Sequence, residues 1–498
     1  MTHHARRPPG RPGRLLGLVG CALLRLGTGC ARDGASRDSL DSGVANASGG
    51  AGAAAIPGSG GAPLTQATGG RSGVNGGTPA GPGAGGGDDG AAGGGAPAAA
   101  ACTSGTASST DVVVTLADVR QKISGFGAST AWSSGMSTAD ADLLFSPTAG
   151  VGLSLHRIRI APDGTTTETS IARLSQARGA RVWATPWSPA AADKSNDAVI
   201  GGTLTNGQAW AGTIASFVGL MKSSGIDLLA VSAQNEPDAK VTTYESCSYT
   251  GASLATFIAT NLGPALAGTG VEILGPESQN WCGFKALADP ILGDAMAASY
   301  TSIIATHEYG CSPLAYPAAA QAGKELWETE MYDKTVAADP GIKSGLRVAR
   351  LIHDALTISS VNAWHYWWVY PSAVGNGALW DKTTGQPSKR LYVLGNFSKF
   401  VRPGFVRVGT SGAAPPAGVA LTAYRHPTDG TVVLAAINTN STPTDVSIFV
   451  AGASPCALTP WVTSATDDLA ARAAVPLAGS RLSATLDAQS VTTFVGQR

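Results

Sequence analysis

Downstream of residue 101, short runs of β-branched and aromatic residues alternate with stretches of helical periodicity. The strand-like runs are Lys122–Ala128, Leu153–Ile160, Arg181–Trp187, Leu228–Asn235, Val271–Glu277, Ser302–Tyr309, Glu325–Glu330 and Asn362–Trp368. Apolar positions three and four apart predict helices over Gln208–Ser223, Ser253–Leu266 and Ile342–Leu356. Eight strand–helix units over about 250 residues have the size and rhythm of an α/β (β/α)8 TIM barrel. A doubly wound open sheet is the alternative, but no Gly-x-Gly-x-x-Gly turn follows the first strand, which argues against a dinucleotide fold.

From about Gly404 the period changes to two. Val419–Tyr424, Thr431–Asn438, Thr444–Val450 and Ser490–Val495 alternate between turn residues such as Thr428-Asp429-Gly430, predicting an antiparallel β-sandwich. Asp111–Leu116 has no evident barrel partner and is expected to pack with that sandwich. The expected organisation is a barrel over 119–403 and a sandwich over 404–498 that takes in strand 110–118.

The first hundred residues differ in kind. All 11 Trp, 10 Tyr and 10 Phe follow residue 101, whereas 28 of the 65 glycines precede it. A segment without aromatics and rich in Gly, Ala, Ser and Pro cannot bury enough apolar surface to offset chain entropy, so 31–101 reads as a tether. Residues 1–14 are basic and Leu15–Leu26 is largely apolar, though interrupted by Arg25, so 1–30 reads as a signal peptide. Cys21 and Cys30 are the candidate lipidation points, with Cys30 favoured by its longer apolar lead. A secreted or envelope-attached protein is the expectation.

With 34 basic and 34 acidic residues the net charge is zero, which gives no field for nucleic acid or anionic membrane. A monomer acting on a neutral substrate is expected, with membrane attachment only through an N-terminal lipid. Of Cys102, Cys247, Cys282, Cys311 and Cys456, one or two pairs are expected to form, Cys247 with Cys282 among them. No Cys-x-x-Cys or His-x-x-x-His spacing suggests a metal, and no cofactor is expected.

Barrel chemistry sits at the C-terminal ends of the strands. The fourth run ends in Gln234-Asn235-Glu236-Pro237-Asp238 and the seventh in Trp327-Glu328-Thr329-Glu330, so two glutamates can face each other across the mouth. Such a pair is what glycosidic cleavage requires, one carboxyl protonated and one ionised. Burial and the neighbouring carboxylate are expected to raise the acid's pKa. Arg157 and Arg159 share a face of the second run, and either could hold the nucleophile ionised. His307 and Tyr309 end the sixth. Trp132, Trp187, Trp364, Trp367, Trp368 and Trp380 follow or end strands and could stack on sugar faces. Alternation places adjacent Trp367 and Trp368 on opposite faces. No Gly-x-Ser-x-Gly elbow or His-Glu-x-x-His helix supports an esterase or protease.

Gln121-Lys122-Ile123-Ser124-Gly125-Phe126-Gly127-Ala128-Ser129, Gln234-Asn235-Glu236-Pro237-Asp238, Trp327-Glu328-Thr329-Glu330 and Gly395-Asn396-Phe397-Ser398-Lys399-Phe400-Val401-Arg402-Pro403-Gly404 together resemble glycoside hydrolase family 30. The resemblance runs from about residue 111 to the C-terminus. It implies a retaining mechanism with Glu236 as acid/base, Glu330 as nucleophile, Asn235 on the sugar 2-hydroxyl, and Arg157 rather than Arg159 beside the nucleophile. Glu328 is the competitor, set aside because it lies two residues earlier and deeper on the same strand face, and Tyr309 at the end of the sixth run could hydrogen-bond the nucleophile. Trp367-Trp368-Val369-Tyr370 looks most like the bacterial xylanase branch. Glucuronoxylan-specific members carry an arginine just after the paired tryptophans, whereas Tyr370-Pro371-Ser372-Ala373-Val374-Gly375 follows here. A xylan-type backbone is the leading substrate, with β-1,6-galactan and β-1,6-glucan as alternatives. A non-catalytic glycan-binding lipoprotein is the reading from another class.

Overall fold

The computed structural model describes residues 104–333, 339–371, 375–452 and 454–497. The expected signal and tether, with Cys21, Cys30 and Cys102, and residues 372–374 after the paired tryptophans lie outside the described residues. No helix among the described residues is long and apolar enough to cross a membrane.

A long strand β1 (Val112–Lys122) precedes eight strands that close into a parallel barrel: β2 (Gly125–Ser129), β3 (Leu155–Ile160), β4 (Arg181–Pro186), β5 (Leu228–Ser232), β6 (Glu272–Ser278), β7 (Thr301–His307), β8 (Glu325–Glu330) and β9 (Ala363–Trp368). All eight expected runs are present. Their ends move by a few residues: the first starts later, because Lys122 still belongs to β1, and the fourth stops at Ser232, before Asn235 and Glu236.

The helix Gly207–Ser223 shows why the outer ring forms. Asn206 caps it by accepting from the Ala209 N–H at 3.3 Å, and Trp210, Ile214, Phe217, Val218 and Met221 form a buried stripe at helical spacing. Helices Thr138–Phe145, Thr169–Gln176, Trp281–Gly293 and Lys389–Ser398 were not anticipated from the apolar pattern. Three of them are short or weakly amphipathic, and all are held by packing on the barrel. Inside the barrel a lower layer of Leu155, Trp183, Leu274, Ile303, Trp327 and Ala363 is fully dry. Gly127 has a structural reason there: a Cβ would lie 2.5 Å from the His365 ring and 2.7 Å from the Leu155 carbonyl oxygen.

The C-terminal sheet contains β10 (Val406–Gly412), β11 (Val419–Arg425), β12 (Val432–Asn438), β13 (Thr444–Ala451), β14 (Ala457–Thr463), β15 (Ala470–Ala471), β16 (Val475–Pro476), β17 (Arg481–Leu486) and β18 (Ser490–Gly496). Its order is β15-β14-β18-β12-β11-β10-β1-β13-β17, with β16 beside β14. Strand β1 is thus an interior member of this sheet, antiparallel to β10 and parallel to β13, so the expected all-antiparallel pattern has one exception. Val114, Val408, Leu434, Ile448, Leu482 and Phe494 form its separate core.

Of the expected disulfides, Cys247–Cys282 is not formed. Cys282 bonds to Cys311, and Cys247 is a buried thiol. Spacing along the chain carries no information here: the bond ties helix Trp281–Gly293 to the segment after β7, while Cys247 is buried in the hydrophobic core.

Candidate active site

The C-terminal mouth of the barrel gathers Arg157 from β3, Thr185 from β4, Asn235 and Glu236 after β5, Glu277 from β6, His307 from β7, Tyr309 after it, and Glu330 from β8. Each of the charged members is at least nine-tenths buried. Arg157 is the hub. Its Nη1 donates to Glu330 Oε2, Nη2 donates to Asn235 Oδ1 at 2.7 Å and Glu277 Oε1 at 2.9 Å, and Nε donates to Thr185 Oγ1 at 3.1 Å. The guanidinium carbon lies 4.7 Å from the Trp187 ring and 5.3 Å from that of Trp367, so every side of the cation is occupied. Arg159, the other candidate, points elsewhere and pairs with Glu245.

The two glutamates meet as expected. Tyr309 donates its hydroxyl to Glu330 Oε1 at 2.9 Å, while Glu236 takes Tyr244 on Oε2 at 2.6 Å and His307 Nδ1 on Oε1 at 3.1 Å. One oxygen of each glutamate and one His307 nitrogen all lie within 4.8 Å of one another. Glu328 is outside this group. It accepts the backbone N–H of Glu330 and of His365, both at 3.0 Å, from below. Where Thr306 pairs with Glu328, the next residue of β7 pairs with Glu330, a bulge that lifts Glu330 into the mouth.

The backbone is strained where it carries these groups. Glu236 has φ 41° and Glu277 φ 51°, left-handed values that side-chain-bearing residues seldom adopt. The bond from Glu236 N–H to the Glu277 carbonyl at 2.9 Å, and from Asn235 N–H to that of Pro186 at 2.9 Å, hold the turn. Asp238 braces it from behind, accepting Ser278 Oγ at 2.5 Å and Gln279 N–H at 2.9 Å.

Burial opposes every charge in the mouth, and neighbouring charges decide the outcome. Burial alone would lower His307, yet the carboxylates of Glu330, Glu236 and Glu277 push it up to about 10. Burial would raise Glu277, but Arg157 and His307 hold it at about 2. Arg157 is raised against its own desolvation by Glu277 and Glu330. Glu330 is raised, by burial and by Glu236 against His307 and Arg157. The expectation for Glu236 is corrected: burial does favour its neutral form, but the bonds from His307 and Tyr244 outweigh this and lower it. Glu236, His307 and Glu330 are also the described residues that best approximate a metal-ligand group. Their donor set does not suit a cation, because a protonated His307 has no free lone pair and Arg157 already occupies Glu330.

The tryptophans divide. Trp132, Trp187, Trp367 and Trp368 form one aromatic wall with Tyr244 and Tyr332, whereas Trp364 and Trp380 belong to the core between barrel and helices. Trp367 and Trp368 do not face apart: their rings stack at 5.2 Å and 21°. Ala128 pairs with Tyr366 and the next residue, Ser129, with Trp368, so Trp367 sits in a bulge and alternation is suspended. With Trp187 only 2% exposed, it backs Arg157 rather than offering an open face for sugar.

Three members of the site, Thr185, Glu277 and Tyr244, were not singled out from sequence. Glu277 ends the fifth strand-like run and lies one residue before the end of β6, so the strand-end rule could have found it. Tyr244 lies on a loop with no periodic signal.

Comparison with known proteins agrees with the barrel and sheet architecture. Residues 169–330 match the glycosyl hydrolase family 30 TIM-barrel domain and residues 404–494 its beta sandwich domain. Glucuronoxylanase XynC of Bacillus subtilis (strain 168) is 32% identical over 409 residues, covering 78% of this chain and 93% of that protein. The subfamily 8 xylanase Xyn30A of Clostridium acetobutylicum has a crystal structure that superposes with a TM-score of 0.71 at 35% identity, over 78% of this chain and all of that one. The endo-beta1,6-glucanase BT3312 shares the fold, with a TM-score of 0.62 at 20% identity over 79% of this chain and 96% of its own. With paired glutamates at the mouth of a closed barrel and relatives matched over nearly their full length, the chain belongs to glycoside hydrolase family 30.

Proposed function

We propose that this chain is a retaining, endo-acting glycosidase of a xylan-type backbone, with Glu330 as nucleophile and Glu236 as acid/base. The observation that carries the reading is the close approach of the two carboxyl groups, with oxygens no more than 4.8 Å apart. Retaining enzymes space the pair at about 5–5.5 Å, and inverting ones at about 6.5–9.5 Å to admit a water. Arg157 and Tyr309 solvate a charged Glu330 for attack on the anomeric carbon. Glu236 gives its proton to the leaving oxygen, and the carboxylate so formed is received by His307 and Tyr244, which strengthens the acid. The same carboxylate then draws the proton from the water that releases the glycosyl-enzyme. Asn235, fixed by Arg157, is set to meet the sugar 2-hydroxyl. Trp132 and Trp367 wall the cleft.

Charge count leaves one proton for the two glutamates; without substrate it is favoured on Glu330, whose carboxyl is raised while that of Glu236 is lowered, so the roles require it to move to Glu236 once substrate is bound. Arg157 and His307 are cations and Glu277 an anion, so the buried site is neutral when Glu236 and Glu330 share one proton. The similarity to Xyn30A and XynC favours xylan, and a Tyr370-Pro371 sequence in place of an arginine favours an unbranched or neutral stretch of it. The basic, apolar and tether segments of the first 101 residues favour action outside the cytoplasm, free or anchored at Cys30.

Wild type and Glu330→Gln are to be assayed on linear xylan, β-1,6-galactan and β-1,6-glucan, with product anomers followed by NMR. Internal cleavage of xylan with a β-anomer released first, abolished in the variant, is expected. Cleavage of a β-1,6-linked polymer alone moves the substrate. Binding without new reducing ends on any polymer leaves a glycan-binding protein instead.

A further inference from the structure

The loop after Glu236 is tied down by side chains from several segments. Tyr244 donates to Glu236 Oε2 at 2.6 Å and is buried among the mouth aromatics. The next residue, Glu245, receives Arg159 on both oxygens, Nε to Oε2 at 3.0 Å and Nη2 to Oε1. That guanidinium lies 5.2 Å from the Trp132 ring, and the Arg159 backbone N–H donates to buried Glu168 at 2.8 Å. The following residue, Ser246, offers its carbonyl to the Nζ of buried Lys194 at 2.5 Å and its hydroxyl oxygen to the Gly201 N–H at 2.9 Å. Three consecutive residues thus contact the candidate acid, strand β3 and the loop after β4.

A tyrosine hydroxyl at hydrogen-bond distance keeps its geometry only if its backbone is fixed, because a 1 Å displacement removes most of the interaction. Glu245, flanking Tyr244 in sequence and held through two bonds by a planar fork, supplies that fixation. We propose that Tyr244 is a positioning residue for Glu236, and that the Arg159–Glu245 ion pair is the clamp that holds Tyr244 on it. The proposal rests on the glycosidase reading above. Its chemical consequence is specific. Tyr244 stabilises the carboxylate left when Glu236 gives up its proton, so it matters in proportion to how much the leaving group needs that proton.

The test uses Tyr244→Phe, Glu245→Gln and Arg159→Lys in the full chain. Substrates are two aryl glycosides of whichever sugar the wild type releases, one with a dinitrophenolate leaving group and one with phenolate. For Tyr244→Phe, kcat/KM on the phenyl glycoside is expected to fall about tenfold or more, as for loss of a hydrogen bond to a charged group, with little change on the dinitrophenyl substrate. Glu245→Gln is expected to shift the same ratio less, and Arg159→Lys, which keeps the charge, less again. Equal losses on both substrates mean the loop is merely structural and overturn the proposal, as does no loss on either. If Tyr244→Phe does not fold, the leaving-group ratio of Glu245→Gln decides. A wild type inactive on every glycoside overturns the glycosidase reading and the proposal with it, whereas an active wild type with equal losses overturns the proposal alone.

Discussion

The lower and upper layers of the barrel interior are built on the same strands, yet their character inverts within two residues. Leu155 gives way to Arg157 on β3, Trp183 to Thr185 on β4, and Ala305 to His307 on β7. The lower layer is apolar and held by the exclusion of water. The upper layer is as buried, but holds two cations and three carboxyl groups solvated by one another and by a few neutral donors and acceptors, among them Tyr244, Tyr309 and Asn235. A dry layer of apolar groups needs volumes that match. A dry layer of charges needs numbers that match.

Replacing Arg157 with Met keeps bulk and removes the hub charge. Turnover on the best polysaccharide substrate is expected to fall by about 10²–10³-fold, as when a preorganised donor is lost. Stability in urea is expected to fall by about 3–5 kcal/mol, because Glu277 is left buried without its partner. A variant as stable and active as wild type would break the idea that charge matching holds this layer. Leu274→Ala probes the other side. It is expected to cost about 2–5 kcal/mol in the same unfolding assay while leaving kcat nearly unchanged, and a large fall in kcat would show that the two layers are not separable.

The smallest effect is pH-dependent. Glu277 is held at about 2 in the folded chain, against about 4.3 for an exposed glutamate. Its stabilising contribution is therefore complete above about pH 4.3 and fades as pH falls toward 2, with an upper bound of about 3 kcal/mol. Urea unfolding of wild type and Glu277→Gln at pH 3 and pH 6 should give a smaller gap at pH 3. A gap that widens on acidification would mean the carboxyl is not ionised by Arg157 at all.

Legibility in the sequence follows the same division. The barrel, Glu330, His307 and Tyr309 could be read because strand ends carry a positional rule and these residues obey it, whereas Arg157, inside β3, and Glu236, four residues past β5, rested also on motifs and on the family resemblance. Trp367 and Trp368 defeated the period-two rule because a bulge against β2 suspends it, and no residue type announces a bulge. Tyr244 was invisible because loops have no period, and the Cys282–Cys311 bond because contact between the segments that follow neighbouring strands β6 and β7 leaves no trace in spacing. The direction of the Glu236 shift depended on His307 and Tyr244 converging from two separate segments, which only the fold brings together.

Strand β1 carries a consequence for how this molecule is made. It is synthesised before the barrel, but both of its hydrogen-bonding edges are completed by β10 and β13, which are synthesised after it. The C-terminal sheet therefore cannot close until almost the whole chain is available, and its loop-closure entropy is paid late. A fragment cut at the barrel–sheet junction would leave β1 with two open edges on one piece and a gap in the sheet on the other. The two lobes are distinct in architecture but share one strand in sequence order, so swapping the sheet lobe between relatives would require moving residues 112–122 along with it.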